Sequence, residues 1–553
     1  MKISFLIGGQ AGVGINVLAR IISAALAREG FFVFNYRDYG SLIRGGNSFN
    51  LITFSDKEIY SQEEKIDFLL AFDKLTYELH KNKLKEKGVI ATNNKELASL
   101  TSNDGLTSTE GSTSEKFFYL DTSKYKQGNM AFAGFLFNVI GLSKEAIIEE
   151  MKIAFQGKNN AENEQIVSSF YEQEYNLTFE IKKQIAECKK NNENKEQTLK
   201  IINGSEAIVQ GALDSGLDFY FGYPMTPATG VLTLLSQEQN KIDKNKISGK
   251  LAPVVMTPES EIGVINMALG ASFAGRRVMV GTSGGGFDLM TEGLSLQGMM
   301  ELPLVIHLAQ RIGAATGVPT YTGQGDLNVA LYGGHGEFSR IVVAPGDPAE
   351  AYENTRQAFY LSEKFGVGTI ILTDKHVLES DFTQNLPNVN LEIPQRKQLL
   401  GADIIKKNSY EHDSAGNTTE DSQVIKESFQ KREEREENIK KECKNFTQYK
   451  IFGSGQNLII SFGSNKGAII DALKELQDFK FLHLVYLQPF PEEVRPILDS
   501  AKKILVIESN STAQLSQLIR KELAFPLKKE DSLLKFDGRP WTMEELVKVI
   551  KDR

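Results

Sequence analysis

Residues 222–311 constrain the fold of this chain most, because three backbone turns of unusual composition each follow a short apolar run. The first turn is GYPMTP at residues 222–227, directly after the run LDFYF. Its two prolines flank Thr226, and proline is poorly tolerated within a central strand or inside a helix. The chain is therefore predicted to leave a strand in a rigid turn that presents Thr226.

The second turn contains two closely spaced carboxyl groups. Thr257 is predicted to cap a helix whose first residue is Pro258, which leaves Glu259 in the first turn, where a carboxylate complements the helix dipole. Glu261 then shares an apolar helix face with Val264. Because desolvation favours the neutral form of a carboxyl, the pattern predicts a buried, protonatable group at Glu261.

The third turn is rich in glycine. The apolar residues 278–280 are followed by GTSGGG at residues 281–286 and by a predicted helix at residues 287–300. A strand, a glycine-rich turn and a helix bring backbone amides up to a ligand in many α/β proteins. The dinucleotide fingerprint is not met, since Leu289 stands where its third glycine would be.

A further apolar run predicts a buried strand at residues 303–309 that ends at Gln310 and Arg311. An arginine in such a place can hold a carboxylate through two parallel hydrogen bonds. Arg311 is therefore a candidate for binding a substrate carboxylate.

Together these motifs resemble a known family. YPMTP at residues 223–227, ESE at 259–261, TSGGG at 282–286 and QR at 310–311 with GVPT at 317–320 are similar, in the same order, to the pyrimidine-binding domain of thiamine-diphosphate-dependent 2-oxoacid:ferredoxin oxidoreductases. The resemblance implies that Glu261 bonds the aminopyrimidine nitrogen of the cofactor, while Thr226 and Arg311 face the 2-oxoacid. The other residues that it implies are Tyr223 and Pro224 on the substrate side and Thr282, Ser283 and Gly284 on the cofactor side.

The start of the chain resembles a second part of the same oxidoreductases. A strand at residues 3–7, a glycine loop at 8–14 and a helix at 15–28 are predicted, and residues 38–48 are predicted to form an irregular loop. The glycine loop, RGGNS within that irregular loop and GKNN near residue 160 are similar to the gamma domain, which helps to hold coenzyme A in some family members. Arg44, Asn47 and Ser48 of this motif are therefore candidates for the coenzyme A side.

Strands that alternate with helices predict an α/β protein with three α/β domains, at residues 1–187, 201–385 and 453–553. Residues 188–200 are predicted to be a polar linker and residues 386–452 a charged connecting segment. By resemblance the three domains are a gamma-type domain, a pyrimidine-type domain that binds thiamine diphosphate, and a transketolase C-terminal-like domain.

Composition limits the partners. With 63 basic and 71 acidic residues, the formal net charge of −8 predicts no nucleic-acid-binding surface. No apolar run of membrane-spanning length occurs, and the first apolar segment is too short for a signal peptide. A cytoplasmic protein without membrane contact is therefore expected.

The two cysteines, Cys188 and Cys443, stand among charged residues, and we expect them to be exposed rather than reactive. They cannot supply the four thiolates of an iron–sulfur cluster. No aspartate–asparagine motif for a diphosphate-bound metal is found either, so no metal site is predicted in this chain. The resemblance then implies that Mg²⁺ and a [4Fe-4S] cluster belong to a separate beta subunit.

The predicted function is that of a subunit of a thiamine-diphosphate-dependent 2-oxoacid:ferredoxin oxidoreductase. The resemblance implies oxidative decarboxylation of a 2-oxoacid to an acyl-coenzyme A and carbon dioxide, or the reverse, with ferredoxin and a beta subunit as partners. One alternative is a noncatalytic binding or assembly subunit in which Glu261 is a structural carboxyl. Another is a nicotinamide-dependent dehydrogenase, which the glycine spacing disfavours. The identity of the 2-oxoacid is not predicted.

Overall fold

In the structure, a computed structural model, the chain forms two compact units. The first consists of Met1–Ile202, Ser380–Asn385 and Thr542–Arg553, and the second of Asn203–Glu379 and Leu386–Trp541. The residues that the structure describes are 1–41, 45–103, 116–126, 128–158, 160–175, 180–192, 199–244, 253–395 and 406–553.

Apolar runs form strands and amphipathic runs form helices in the first 202 residues. The strands are β1 (Lys2–Ala11), β2 (Phe32–Tyr39), β3 (Gly45–Ser55), β4 (Ile66–Ala71), β5 (Leu84–Thr92), β6 (Lys116–Tyr119) and β7 (Ile201–Ile202). The helices are α1 (Ile15–Arg28), α2 (Lys74–His80), α3 (Lys95–Asn103), α4 (Ala131–Ile140), α5 (Lys144–Phe155), α6 (Asn160–Tyr171) and α7 (Glu180–Asn192).

Strands and helices alternate through the middle of the chain, as a parallel sheet requires. The strands are β8 (Phe219–Phe221), β9 (Val254–Met256), β10 (Val278–Thr282), β11 (Leu304–Gln310), β12 (Arg340–Val343), β13 (Gly368–Asp374) and β14 (Asp381–Thr383). The helices are α8 (Gly204–Asp214), α9 (Thr229–Lys244), α10 (Glu261–Phe273), α11 (Gly284–Met300), α12 (Leu327–Tyr332), α13 (Pro348–Phe365) and α14 (Lys375–Glu379).

The remaining part begins with a long charged helix and continues as a smaller α/β region. Its strands are β15 (Tyr449–Gly453), β16 (Asn457–Phe462), β17 (Phe479–Leu484), β18 (Tyr486–Gln488), β19 (Ile504–Glu508) and β20 (Ser532–Leu534). Its helices are α15 (Ser422–Cys443), α16 (Lys466–Ala472), α17 (Arg495–Asp499), α18 (Gln514–Leu523) and α19 (Met543–Lys551).

The first unit is built on an eight-stranded sheet in the order β6-β5-β4-β1-β3-β2-β14-β7. Strand β1 is parallel to β4 and antiparallel to β3. Helix α1 packs its apolar face, including Leu18 and Ile22, into one core with Phe5 of β1 and Phe135 of α4. Burial of this amphipathic helix against the sheet stabilises the unit.

The prediction of an irregular loop at residues 38–48 is wrong at both of its ends. Residues up to Tyr39 belong to β2, and those from Gly45 belong to β3. Ser48 lies opposite Gly9 of β1 and opposite Tyr39 of β2. Pairing of Gly45 with Ala11 of β1 extends β3 through glycines that disfavour a strand by themselves.

The prediction that the cysteines are exposed is also wrong, because both are buried. On α7, Cys188 lies 3.9 Å from the sulfur of Met1, and Cys443 ends α15 with no exposed surface. Burial raises the pKa of both thiols, that of Cys443 to about 12. A helix can turn such a residue inward while its charged sequence neighbours face outward. The predicted linker at residues 188–200 overlaps the end of α7, and residues 193–198 lie outside the described residues.

The second unit contains two sheets. The seven-stranded sheet has the order β18-β12-β13-β11-β10-β8-β9, in which the strands from β8 to β13 are parallel to one another and β18 is antiparallel to β12. The five-stranded sheet has the order β15-β17-β16-β19-β20. One apolar core joins them, with members such as Val280, Ile306, Ile460 and Leu482. Edge strand β18 is supplied to the larger sheet from the C-terminal part of the chain.

These elements confirm the predicted α/β fold class. The charged connecting segment predicted at residues 386–452 contains helix α15. Across the described ranges, we find no helix with the length and apolar character that a bilayer crossing requires.

Candidate active site

The candidate site lies at the carboxyl edge of the seven-stranded sheet, where β8, β10 and β11 end together. Val280 of β10 is opposite Phe221 of β8 and Ile306 of β11, so the three strands are in step. Ligands of open α/β sheets bind outside this edge. The three predicted turns follow β8, β9 and β10 in that order, and Arg311 follows β11.

Helix α10 begins at Glu261 rather than at Pro258, so the predicted cap at Thr257 is wrong. Ser260 occupies the N-cap position, and its hydroxyl accepts a hydrogen bond from the Gly263 N–H over 3.4 Å. Serine is a strong N-cap residue. The later start leaves Glu259 exposed before the helix and makes Glu261 the acidic residue of its first turn.

Glu261 is buried, as predicted, with 3% of its surface exposed. Its Oε1 atom has no hydrogen-bond partner among the residues that the structure describes. A buried polar atom without a partner costs about 1–3 kcal/mol. The carboxyl therefore has an acceptor or donor position free for a group that enters the site.

Gly286 allows Glu261 to reach this position. Helix α11 begins at Gly284, and not at Phe287 as predicted, so the glycines form its first turn. A Cβ atom on Gly286 would lie 2.2 Å from Thr282 Oγ1 and 2.6 Å from Glu261 Oε1. Only glycine leaves room for both side chains at this position. The first turn of α11 therefore lies against both Glu261 and Thr282.

We expect Gly286→Ala to displace the Glu261 carboxyl, because real Cβ atoms do not tolerate these distances. Overpacking of this kind destabilises proteins by about 1–3 kcal/mol. On the resemblance shown by the sequence, thiamine diphosphate retained after gel filtration should fall well below the wild-type content. In Gly285→Ala the nearest atom to the new Cβ is the Ala315 carbonyl oxygen at 3.4 Å, an ordinary contact. This control should keep the cofactor, and equal retention by both variants would contradict the steric argument.

Arg311 follows β11 and lies beside the turn that contains Thr226. Its Nη1 donates a hydrogen bond of 2.9 Å to the Thr226 carbonyl oxygen. The side chain is 7% exposed, and its Nε has no partner within the described chain. Burial lowers the pKa of the guanidinium, while Asp326 and Glu261 act against that shift. The structure thus brings Arg311, from a predicted strand end, next to Thr226 of the first predicted turn, where it is also influenced by Glu261 of the second.

The other predicted site residues lie around these three. Tyr223 and Pro224 are exposed in the same turn as Thr226. Thr282 and Ser283 have no exposed surface, and the Ser283 hydroxyl has no partner among the described residues. Buried hydroxyl and carboxyl groups without partners are thus concentrated at one sheet edge.

Asp326 is a site residue that the sequence did not indicate. Burial raises the pKa of its carboxyl to about 6, Asp288 raises it further, and Arg311 opposes the shift. A Cβ atom on Gly284 would lie 2.5–2.7 Å from the carboxyl atoms of Asp326. An aspartate just before a helix has an ordinary explanation as an N-cap, which hides any other role from the sequence.

Gln324 fixes the end of the loop that runs from Arg311 to Asp326. It is fully buried, and its side chain bonds the Phe462 carbonyl oxygen and Asn465 Nδ2, each over 2.9 Å. Its backbone N–H donates to the Ser509 carbonyl oxygen over 2.8 Å. The region of the five-stranded sheet therefore holds one wall of the site in place. The sequence does not indicate this role, because Gln324 is a single glutamine in a predicted loop.

The residues predicted for the coenzyme A side belong to the first unit. Asn47 Nδ2 donates to Thr76 Oγ1 over 2.7 Å, and its Oδ1 is 3.0 Å from His80 Nε2. Ser48 is buried in β3. Arg44 lies outside the described residues. The side chain of Asn47 is therefore engaged by its own unit.

Comparison with known proteins identifies the family. Over all of this chain and 98% of the relatives, 31% of residues are identical to the alpha subunit of a 2-oxoacid:ferredoxin oxidoreductase from a Sulfolobus species and to that of oxidoreductase 1 from Sulfurisphaera tokodaii. The chain belongs to this family. Residues 210–448 match the family described as pyruvate flavodoxin/ferredoxin oxidoreductase, thiamine diphosphate-binding, and residues 4–173 match the pyruvate ferredoxin/flavodoxin oxidoreductase family.

A solved member has the same fold. The 2-oxoglutarate:ferredoxin oxidoreductase from Magnetococcus marinus, solved with 2-oxoglutarate, coenzyme A and succinyl-CoA bound, has a TM-score of 0.82 and 24% sequence identity, and the match covers 100% of this chain and 99% of that one. Family membership confirms the predicted function of the chain as a subunit of a 2-oxoacid:ferredoxin oxidoreductase with a thiamine-diphosphate-binding domain. The nicotinamide-dependent alternative is thereby excluded.

Proposed function

We propose that this chain contributes the half of the active site that holds the aminopyrimidine of thiamine diphosphate, together with the arginine that binds the substrate carboxylate. The observation that carries the proposal is the buried Glu261 Oε1, which lacks a partner among the described residues and lies where only Gly286 leaves room. A ring nitrogen that bonds this carboxyl would remove the cost of its burial.

The surrounding residues fit the cofactor. The Ser283 hydroxyl, for which the described part of the chain offers no partner, and the Thr282 side chain lie at the first turn of α11, which also contains Gly284. We propose that these residues with Glu261 hold the cofactor. When bound, thiamine diphosphate supplies a carbon nucleophile for the keto group and takes up the electrons left after decarboxylation.

Each residue of the chain then has a defined task. Glu261 holds a proton at its carboxyl oxygen and exchanges it with the pyrimidine nitrogen. Arg311, oriented by the Thr226 carbonyl, binds the carboxylate of the 2-oxoacid through its remaining N–H groups. Thr226, Tyr223 and Pro224 form the wall on the substrate side. Burial of Glu261 and Arg311 excludes water from both interactions, which strengthens them.

The rest of the reaction requires partners. We propose that a beta subunit holds the diphosphate with Mg²⁺ and a [4Fe-4S] cluster, and that the cluster passes electrons to ferredoxin. The sequence supports this division, because its two cysteines are too few for a cluster. The 2-oxoacids named for relatives, including 2-oxoglutarate, are the first substrates to test.

For coenzyme A, we propose the gamma-type region. A cavity of about 520 Å³ in the first unit is lined by Gly12, Gly14, Asp73 and Lys126, among others. Asp73 accepts a hydrogen bond from Thr76, which in turn accepts one from Asn47. Asn47 is therefore linked through Thr76 to Asp73 in the cavity wall. We propose that Arg44, Asn47 and Ser48 belong to the coenzyme A side.

The test compares the purified chain with the chain co-expressed with its beta subunit. Pyruvate and 2-oxoglutarate, each with coenzyme A and thiamine diphosphate, are offered with a viologen dye. We expect dye reduction by the complex and none by the chain alone, since the chain supplies half of the site. Full 2-oxoacid oxidation by the single chain would contradict the division, and failure of the complex with every 2-oxoacid would support a noncatalytic role.

A further inference from the structure

Asp326 is a buried carboxyl group to which the proposed mechanism gives no task. It stands at the N-cap position of α12, yet its side chain makes no capping hydrogen bond. Its Oδ2 atom is buried without a hydrogen-bond partner in the described part of the chain. Helix capping therefore does not explain why the carboxyl is there.

The carboxyl is fixed between the first turn of α11 and Arg311. The Asp326 N–H donates to Gln310 Oε1 over 3.1 Å, which holds Asp326 at the end of β11 next to Arg311. On the other side the carboxyl lies so close to Gly284 that a side chain there would overlap it. Gln324, two residues earlier, is held by the five-stranded sheet region, so Asp326 cannot easily move away.

The negative charge of Asp326 can compensate the positive charge of the buried Arg311. A buried guanidinium requires a compensating negative charge, and the acidic groups that act on Arg311 are Asp326 and Glu261. Glu261 is assigned to the cofactor ring, which leaves Asp326 to balance Arg311. The charged groups that shift the pKa of Asp326 are Asp288 on α11, which raises it, and Arg311 at the end of β11, which lowers it.

We propose that Asp326 is a positioning residue that balances the charge of Arg311 in the empty site and takes up a proton when the carboxylate of a 2-oxoacid arrives. The inference rests on the proposed function, because it needs Arg311 to bind the substrate. Two carboxylates at one guanidinium repel each other, and protonation of one removes the repulsion. The proton comes from solvent and returns to it when the substrate carboxylate leaves.

The direction of the pH dependence follows from the charge of Asp326. Burial holds the pKa of this carboxyl at about 6, so it is protonated below that pH and charged above it. The substrate carboxylate binds best when Asp326 is neutral. The value of kcat/KM for a 2-oxoacid is therefore highest below the pKa of Asp326 and falls as the pH rises through it.

The experiment measures kcat and KM for pyruvate and for 2-oxoglutarate with the complete enzyme by viologen reduction across this pH range. Wild-type kcat/KM should fall by about tenfold or more between about pH 5.5 and about pH 8, mainly through KM. In Asp326→Asn the fall should disappear, so that the ratio of variant to wild-type kcat/KM rises with pH. Asp288→Asn removes the exposed charge that faces Asp326 and should move the midpoint to lower pH.

The outcomes separate the two claims. Parallel pH profiles for wild type and Asp326→Asn overturn the inference while leaving the proposed function intact. If Asp326→Asn does not assemble, an unchanged midpoint in Asp288→Asn overturns it instead. Failure of the wild-type complex to reduce the dye with any 2-oxoacid overturns the proposed function and the inference with it.

Discussion

Replacing Glu261 by glutamine is expected to slow 2-oxoacid oxidation by a factor on the order of 10²–10⁴, the usual contribution of a positioned acid–base group. Glutamine keeps the shape of the buried side chain and one hydrogen bond, but it cannot exchange a proton at that oxygen. The variant should fold, assemble with the beta subunit and retain thiamine diphosphate. The measurements are kcat by viologen reduction and cofactor content after gel filtration.

Glu259→Gln is the matched control, because Glu259 is exposed two residues earlier and precedes the helix. It should have wild-type activity. If Glu261 is only a structural carboxyl, Glu261→Gln should change thermal stability more than kcat. That pattern would favour a noncatalytic role for the group.

Replacing Arg311 by methionine is expected to weaken use of the 2-oxoacid with little effect on the cofactor. The loss of a charge-assisted hydrogen bond to the substrate carboxylate costs about 1.5–3 kcal/mol, which corresponds to a decrease of about tenfold to about a hundredfold in kcat/KM. Methionine preserves much of the apolar length of arginine, so packing beside Thr226 changes least. The measurement is kcat/KM for the best 2-oxoacid, with thiamine diphosphate content determined in parallel.

Two further variants distinguish the effect of the lost charge on substrate binding from the effect of a lost buried arginine on stability. Arg311→Lys keeps the positive charge without the fork and should recover part of the loss. Arg340→Met removes another buried arginine, one that donates to the Ala330 carbonyl oxygen instead of facing the substrate. It should lower stability while leaving kcat/KM near the wild-type value. Collapse of cofactor content in Arg311→Met would assign Arg311 to the cofactor.

Local chemistry explains why much of the site could be predicted. Proline, glycine and apolar runs mark the strand ends, so the turn at Thr226 and the strand end before Arg311 were found from sequence. Helical spacing also placed Glu261 on a buried face, as the structure confirms. These features depend on residues within one or two turns of the backbone.

Features set by distant residues were not predicted. Thr257 and Ser260 are both good caps, and α10 begins after Ser260, where Glu261 meets Gly286 of α11. The role of Asp326 is not visible in the sequence, because Gly284 and Arg311, which surround it in the fold, are distant in sequence. The burial of Cys188 likewise depends on the first unit, into whose core it packs. Tertiary contacts override local preference in each case.

The central claim is that Glu261 moves a proton for the cofactor, and one measurement tests it without turnover of substrate. Proton–deuterium exchange at the thiazolium carbon of bound thiamine diphosphate is followed in the wild-type complex and in Glu261→Gln, at equal cofactor occupancy. We expect exchange in the variant to be slower by a factor on the order of 10²–10⁴, matching its loss of kcat. Unchanged exchange in Glu261→Gln would contradict the account and remove Glu261 from the mechanism.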